Sequence, residues 1–111
     1  MSINRVTLTG NLTRDSVLRS TTSGLACLSF AIAVNDRVRH PKTGEWEERP
    51  NFIEVTLFGK RGEHLVNILK SGFKVGIDGR LRWQSWEKDG IPRSKVDVVA
   101  ESIELLTRIE Q

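Results

Sequence analysis

Apolar and polar residues alternate along most of this chain, and this pattern constrains its fold more than any other feature. Between Ala26 and Val34 every second residue is apolar. Because the side chains of a strand point alternately to the two faces of a sheet, a period of two predicts half-buried strands. The pattern predicts five strands, at residues 6–12, 26–34, 51–58, 74–87 and 93–105.

The segments between the predicted strands contain a helix and turns. Residues 62–70 predict one short helix, followed by Gly72 in the position after its last turn. The segment from Arg37 to Arg49 indicates the tip of a long hairpin, because Pro41 and Thr43-Gly44 are turn signals. Asp89-Gly90 between two strands predicts a tight β-hairpin.

The resulting order is three strands, one helix and two strands. It predicts an all-β OB-fold, a five-stranded Greek-key barrel with one short helix between strands three and four and a long β-hairpin at about residues 36–50. A small β-sandwich is the alternative, and the place of the single helix favours the barrel. A chain of 111 residues has room for one domain, which we expect to span residues 1–107, with a C-terminal end at 108–111.

Composition excludes several classes of protein. No apolar run approaches the roughly 20 residues of a membrane span, and no signal peptide is visible, so we expect an intracellular protein with no membrane partner. Cys27 is the single cysteine, and His40 and His64 lack the spacing of a metal site. We find no phosphate-binding loop and no catalytic constellation, so neither an enzyme nor a cofactor is predicted.

The charge of the chain is moderately basic and unevenly distributed. The net charge is +3 and the pI is about 9.4. Nine lysine and arginine residues lie between Lys60 and Lys95, against four acidic residues. The second half of the barrel therefore carries the basic excess.

Aromatic residues occupy the polar face of two predicted strands. In strand three, Ile53, Val55 and Leu57 form the face expected to join the core. Phe52 and Phe58 lie on the other face, together with Glu54 and Thr56. They could instead pack under a loop or in a subunit contact. In strand four, Trp86 has the parity of Arg80 and Arg82, whereas Trp83 has core parity but stands near the end of the strand. Aromatic rings aligned with arginines are typical of single-stranded nucleic-acid binding.

The long hairpin carries the third tryptophan, Trp46. It could clamp a nucleic-acid strand or fold back onto the barrel. Basic residues surround it, but Glu45, Glu47 and Glu48 nearly cancel their charge.

Four segments together resemble the bacterial single-stranded DNA-binding protein (SSB) family. They are NRVTLTGNL at 4–12, FAIAVN at 30–35, VTLFGK at 55–60 and GRLR at 79–82 followed by Trp86. The resemblance runs from Ser2 to about Leu106. It implies an OB-fold, a cytoplasmic, nucleoid-associated homotetramer, and sequence-tolerant binding of single-stranded DNA in replication, recombination and repair.

The resemblance also implies roles for individual residues. Phe52, Phe58 and Trp86 match the base-stacking aromatics of the family, and we add Trp46 from its position on the hairpin. The positions where the family uses basic residues near the DNA are matched by Arg5, Arg19, Lys60, Lys70 and Arg82. Arg80 is included as a phosphate contact on physical grounds only.

The chain also departs from the family pattern. Val38 stands where well-known members have a tryptophan, and Phe52 stands where many have a tryptophan. Members usually continue into a flexible tail with an acidic tip that recruits replication and repair proteins. Because this sequence does not include such a tail, recruitment of those partners is in doubt.

Two alternatives to a tetrameric binder of single-stranded DNA remain open at this point. One is a related OB-fold domain with a more specialised function, such as a dimeric primosome component or an RNA-binding domain. The other is a protein-interaction module whose exposed aromatics form subunit contacts.

Overall fold

Six strands and one short helix make up residues 1–108, the part of the chain that the computed structural model describes. The predicted C-terminal end at 108–111 lies, apart from Arg108, outside the described residues. The elements are β1 (Val6–Leu12), β2 (Val17–Ser20), β3 (Ala26–Arg39), β4 (Trp46–Phe58), α1 (Arg61–Leu65), β5 (Lys74–Lys88) and β6 (Ile91–Leu105).

Five of the strands close into a barrel. The sheet order is β1-β5-β6-β4-β3-β2, and β1 also pairs with β3, so the sheet returns upon itself. The pairing of β4 with β6 is parallel, and the other pairings are antiparallel. The predicted five-stranded barrel with an OB-fold topology is confirmed. The short strand β2, added at the edge of β3, was not predicted because all four of its residues are exposed and show no alternation.

The core is built from the alternating residues that the sequence assigned to the inner face. Leu28, Phe30 and Ile32 of β3 have no exposed surface. Leu69, which follows α1, is also fully buried and packs into this core. The core comprises Leu12, Leu28, Phe30, Ile32, Val55, Leu57, Leu69, Val75, Ile77, Val98 and Ala100. Burial of these side chains is the main term that favours folding.

The predicted helix is too long, because it ends at Leu65 instead of Lys70. The backbone carbonyls of Val66 and Leu69 accept hydrogen bonds from the side chain and the backbone N–H of Ser16, respectively. The segment therefore turns towards the barrel and inserts Leu69 into the core. Gly72 has a φ of +89° but lies in the turn before β5, seven residues beyond the helix.

The hairpin between β3 and β4 is more regular than predicted. The strands pair as far as Arg39 with Trp46, so only residues 40–45 form the turn, instead of 37–49. The imidazole Nδ1 of His40 accepts hydrogen bonds from the backbone N–H groups of Lys42 and Thr43 and organises this turn. Backbone pairing across the hairpin extends the strands through charged residues whose sequence shows no alternation.

The hairpin between β5 and β6 is confirmed and extends beyond the barrel. Asp89 and Gly90 both have positive φ, as a two-residue hairpin turn of type I′ requires. Because the outer part of this hairpin has no core beneath it, residues with core parity are exposed there. Leu81, Trp83 and Val96 are 48%, 66% and 56% exposed.

Two glycines permit the barrel to close. A Cβ on Gly10 would lie 2.6 Å from the carbonyl oxygen of Ala33, where β1 meets β3. A Cβ on Gly79 would overlap the carbonyl oxygen of Val99 on β6. Gly79 adjoins a β-bulge, because Asp78 pairs with Ser102 and Gly79 with Ala100, which leaves one extra residue on β6.

We predict that Gly79→Ala lowers the free energy of unfolding by about 1–3 kcal/mol, because the backbone of β6 must move to admit the methyl group. Gly76→Ala is the matched control in the same strand, since its Cβ would meet only ordinary contacts at 3.6 Å or more. We expect that control to lie within about 0.5 kcal/mol of wild type. Urea unfolding measures both, and equal stabilities of the two variants would contradict the close approach at Gly79.

Candidate nucleic-acid interface

The face of the barrel opposite the core, called here the outer face, crosses β3, β4, β6 and β5. On β4 it carries Phe52, Glu54, Thr56 and Phe58, as their parity predicted. Phe52 is 70% exposed, whereas Phe58 is half-buried. The predicted orientation of both phenylalanines is therefore confirmed, but only Phe52 offers most of its ring to solvent.

Small residues of β3 stand beside these rings. In the β3–β4 register, Cys27 lies opposite Phe58 and Ala33 lies opposite Phe52, with Ser29 and Ala31 between them. Cys27 is only partly buried and belongs to the outer face, so it does not contribute to the core.

Arg82 and Asp97 form the most constrained pair on the outer face. The Arg82 Nε lies 3.1 Å from Asp97 Oδ1, and its Nη2 lies 2.8 Å from Asp97 Oδ2. The Arg82 Cζ is also 5.3 Å from the centroid of the Phe58 ring, within cation–π range. The arginine therefore reaches from β5 across β6 to the aromatic residue of β4.

Asp97 is the one charged residue among the buried residues of the described chain, at 1% exposure. Besides Arg82, the Thr56 hydroxyl donates to it at 2.9 Å and the Gln84 amide donates at 3.3 Å. Burial alone would raise the pKa of the Asp97 carboxyl, but the hydrogen bonds from Arg82 and Thr56 outweigh burial. They hold this pKa below its usual value, so Asp97 is ionised at neutral pH.

Trp86 lies on the outer face of the protruding β5–β6 hairpin and is 44% exposed. It pairs across the strands with Arg93, and Gln84 pairs with Lys95. Arg93 and Lys95 therefore flank Trp86, although neither was predicted as a site residue. The alternation of Arg93, Lys95 and Asp97 with Val96 and Val98 could have revealed them, because that parity places them on the outer face.

Trp46 does not fold back onto the barrel. It is 60% exposed at the end of the β3–β4 hairpin. The Arg37 Cζ lies 5.7 Å from the centroid of its ring. Arg37 was not predicted as a site residue, and only the register of the hairpin places it beside Trp46.

Besides Arg82, two further predicted phosphate contacts, Arg5 and Arg80, are paired with carboxylates. The Arg5 Nη2 lies 2.7 Å from Asp78 Oδ2, and its Nη1 lies 2.7 Å from Glu101 Oε2. The Arg80 Nη1 is 3.5 Å from Glu101 Oε1. The hydrogen bond from Arg5 lowers the pKa of Glu101, and the same hydrogen bond raises the pKa of Arg5. These arginines therefore have partners on the protein itself.

The other predicted phosphate contacts are Arg19, Lys60 and Lys70. All three are exposed, and within residues 1–108 none forms an ion pair. Arg19 on β2 lies opposite Cys27, which in turn lies opposite Phe58, so it shares the outer face. Lys60 occupies the N-cap position of α1 without a side-chain capping hydrogen bond, and Lys70 lies in the turn between α1 and β5.

Residues 1–108 contain no group of three His, Cys, Asp or Glu side chains that could hold a metal ion. Within the same range, no helix has the length and apolar character to cross a membrane.

We predict that Asp97→Asn lowers the free energy of unfolding at pH 7 by about 1–3 kcal/mol, because it removes a charge-assisted pair. Because the native pKa of Asp97 is depressed, its contribution is present above the usual Asp pKa of about 3.9 and is lost as the pH falls through the native pKa. The difference between variant and wild type should therefore shrink at pH 3.

Urea unfolding at pH 7 and pH 3 measures this difference. Glu104→Gln is the control, since Glu104 is exposed and forms no ion pair with a described residue. Its stability relative to wild type should not change between the two pH values. An Asp97→Asn difference that is equally large at both pH values would contradict the role of the ionised carboxylate.

Comparison with known proteins finds one family and its members. The model of the single-strand binding protein family matches residues 3–106. The "Single-stranded DNA-binding protein" of Treponema pallidum is 40% identical over 105 residues, which are 94% of this chain and 58% of that protein. That of Borreliella burgdorferi is 39% identical over 107 residues, which are 95% of this chain and 70% of that protein.

Solved structures agree with the fold. The crystal structure of a deletion mutant of the single-stranded DNA binding protein from Thermus aquaticus has a TM-score of 0.81 and 36% identity, and it covers 95% of this chain and 51% of that one. The Plasmodium falciparum SSB complex with ssDNA has a TM-score of 0.83 over 96% of this chain and 97% of that one. Because the two sequences are only 18% identical, this structural likeness supports the fold and nothing further.

The chain spans little more than half the length of the Treponema and Thermus proteins, so the matched part is one portion of those proteins. The family match nevertheless covers nearly all of the present sequence. The exposed aromatic rings on one face of the barrel agree with this match. The chain belongs to the single-strand binding protein family.

Proposed function

We propose that this chain binds single-stranded DNA with little sequence preference and protects it during replication, recombination and repair. The observation that carries the proposal is the outer face, where Phe52, Phe58 and Trp86 lie among arginine and lysine side chains. Membership of the single-strand binding protein family supports it. The names of the relatives from Treponema and Borreliella support the choice of DNA.

In this proposal, aromatic side chains stack on the bases of the DNA and basic side chains contact its phosphates. Bases stack on Phe52, Phe58, Trp86 and Trp46. Phosphates are contacted by Arg5, Arg19, Lys60, Lys70, Arg80 and Arg82. Each stacked base contributes about 1–3 kcal/mol and is sequence-tolerant, because every base has a π-face. Since Arg5 and Arg80 are paired with carboxylates, we expect Arg19 and Lys60 to contribute more to phosphate binding in the free protein.

The proposal includes the setting in which the chain works. Residues 1–107 act as a non-enzymatic binding domain that assembles as a homotetramer and is associated with the nucleoid in the cytoplasm. The family resemblance supports these points. Recruitment of replication and repair proteins through an acidic tip is not part of the proposal.

Titration with oligo(dT) tests the proposed function through intrinsic tryptophan fluorescence. Trp46 and Trp86 are exposed on the outer face, so stacked bases should quench their emission. Quenching should weaken as salt is added, because phosphate binding releases counterions. Oligo(U) and duplex DNA are the comparison ligands. Absence of quenching with every single strand would contradict the proposal, and stronger binding of oligo(U) would favour an RNA-binding domain.

We predict that Trp86→Ala weakens binding of oligo(dT) by about 1–3 kcal/mol while the fold stays intact. Trp83→Ala is the matched control, because Trp83 lies three residues away on the opposite face of the same hairpin. Fluorescence anisotropy of labelled oligo(dT) measures both affinities, and circular dichroism checks the fold. Equal affinities of Trp86→Ala and wild type would rule out stacking on Trp86.

We predict a solution mass of four times the 12.5 kDa chain for the wild type. Light scattering at several concentrations measures it, and the same measurement on the two tryptophan variants ensures that the same assembly is compared. A monomer at all concentrations would contradict the tetramer but not the binding of DNA.

A further inference from the structure

We propose that Asp97 is a positioning residue that holds the Arg82 guanidinium beside Phe58, so that the two side chains meet a nucleobase as one preassembled surface. The inference rests on the proposed function. It adds a buried acidic residue to a site that otherwise consists of aromatic and basic residues. It also gives Arg82 a role as a base contact in place of a simple phosphate contact.

The geometry of the pair supports positioning. Two hydrogen bonds from one guanidinium to one carboxylate fix the plane of Arg82, because the fork of the guanidinium matches the carboxylate. Thr56 and Gln84 hold the carboxylate itself from two further strand positions. The Arg82 Nη1 makes no hydrogen bond to any residue within 1–108, so its two N–H groups remain available to a ligand.

The cost of burying Asp97 also indicates a role beyond stability. A buried ion pair is often no more stabilising than well-packed apolar residues of similar volume. Val98 and Val99 show that this part of β6 accepts buried apolar side chains. At position 97 the chain carries instead a carboxylate whose hydrogen bonds all come from residues of the outer face.

Pairing changes what Arg82 can contribute to binding. Its charge is matched by a carboxylate at 2.8 Å, so it has little net charge with which to displace counterions from a phosphate. Its flat face, next to the Phe58 ring, can still stack on a base. We therefore expect Arg82 to contribute to affinity at every salt concentration and very little to the salt dependence.

Arg37 provides an internal comparison. It also lies beside an exposed aromatic ring, at 5.7 Å from Trp46, but it forms no ion pair within residues 1–108. Its charge is free to neutralise a phosphate. The two arginine–aromatic pairs on the outer face should thus differ in their response to salt.

The test measures the dissociation constant of oligo(dT) over a series of NaCl concentrations. Arg37→Ala should reduce the slope of log K against log[NaCl] by about 0.7, the value for one phosphate on a single strand. The double variant Arg82→Ala/Asp97→Asn removes the pair without changing the net charge, so it should weaken binding about 5-fold or more at every salt concentration and leave the slope unchanged. A decrease of the slope in this double variant as large as that in Arg37→Ala would make Arg82 a phosphate contact and overturn the inference.

Asp97→Asn is the decisive variant, because it removes a negative charge from the side that faces the DNA. If Asp97 were only a repulsive charge, the variant would bind more tightly at every salt concentration. If Asp97 positions Arg82, the variant should bind about 5-fold or more weakly at the highest salt, where stacking dominates. Its slope should also become steeper by up to about 0.7, because Arg82 is released. Equal or tighter binding at high salt would overturn the inference.

Two further measurements separate positioning from loss of structure. Arg82→Lys keeps the charge but not the planar fork, so it should lose about as much affinity as the double variant; full retention would overturn the inference. In NMR spectra without DNA, the Arg82 Nε–H should exchange slowly in wild type and rapidly in Asp97→Asn. Equal exchange in both would also overturn it.

The outcomes distinguish this inference from the proposed function. A wild-type chain that fails to bind oligo(dT) at any salt concentration would overturn the proposed function, and with it the role of Arg82 as a base contact. Wild-type binding together with unchanged high-salt affinity in Asp97→Asn would overturn the inference alone.

Discussion

The pairing of β1 with both β5 and β3 is the constraint on which the rest of the structure depends. It closes the sheet into a barrel, and closure divides every barrel strand into a core-facing set and an outward-facing set. The close approach of the backbones at Gly10 and Gly79 makes this possible, because any side chain at either position would meet a carbonyl group. Aromatic residues with outward parity are thereby kept out of the core and left on one continuous surface.

That surface carries fewer free charges than its composition suggests. Arg5, Arg80 and Arg82 each have a carboxylate partner, and the Arg82 pair includes the buried Asp97. We therefore expect the proposed binding surface to depend more on aromatic area and oriented guanidinium groups than on its basic charge. This agrees with the modest net charge of the chain and with a role in which stacking on bases supplies much of the affinity.

Much of the fold and part of the candidate site could be predicted. The parity of Phe52, Phe58 and Trp86 was right because alternation survives wherever one face of a strand is buried. The same argument failed for residues 37–49 and left the burial of Trp83 open, because both hairpins extend beyond the core and alternation there no longer reports burial. Helix α1 was predicted too long because the apolar stripe continues past its end, in a turn that places Leu69 in the core and bonds to Ser16, which is distant in sequence.

By itself, the sequence determined the five barrel strands where they cover the core, the tight turn at Asp89-Gly90, the side of each of these strands that faces the core and the family to which the chain belongs. Only the tertiary structure decided which basic residues are free and which are paired. Arg5 meets Asp78 and Glu101 from 73 and 96 residues away, and Asp97 reaches Thr56 across 41 residues. Strand periodicity is a local property of the backbone, whereas ion pairing depends on the order in which distant strands lie side by side.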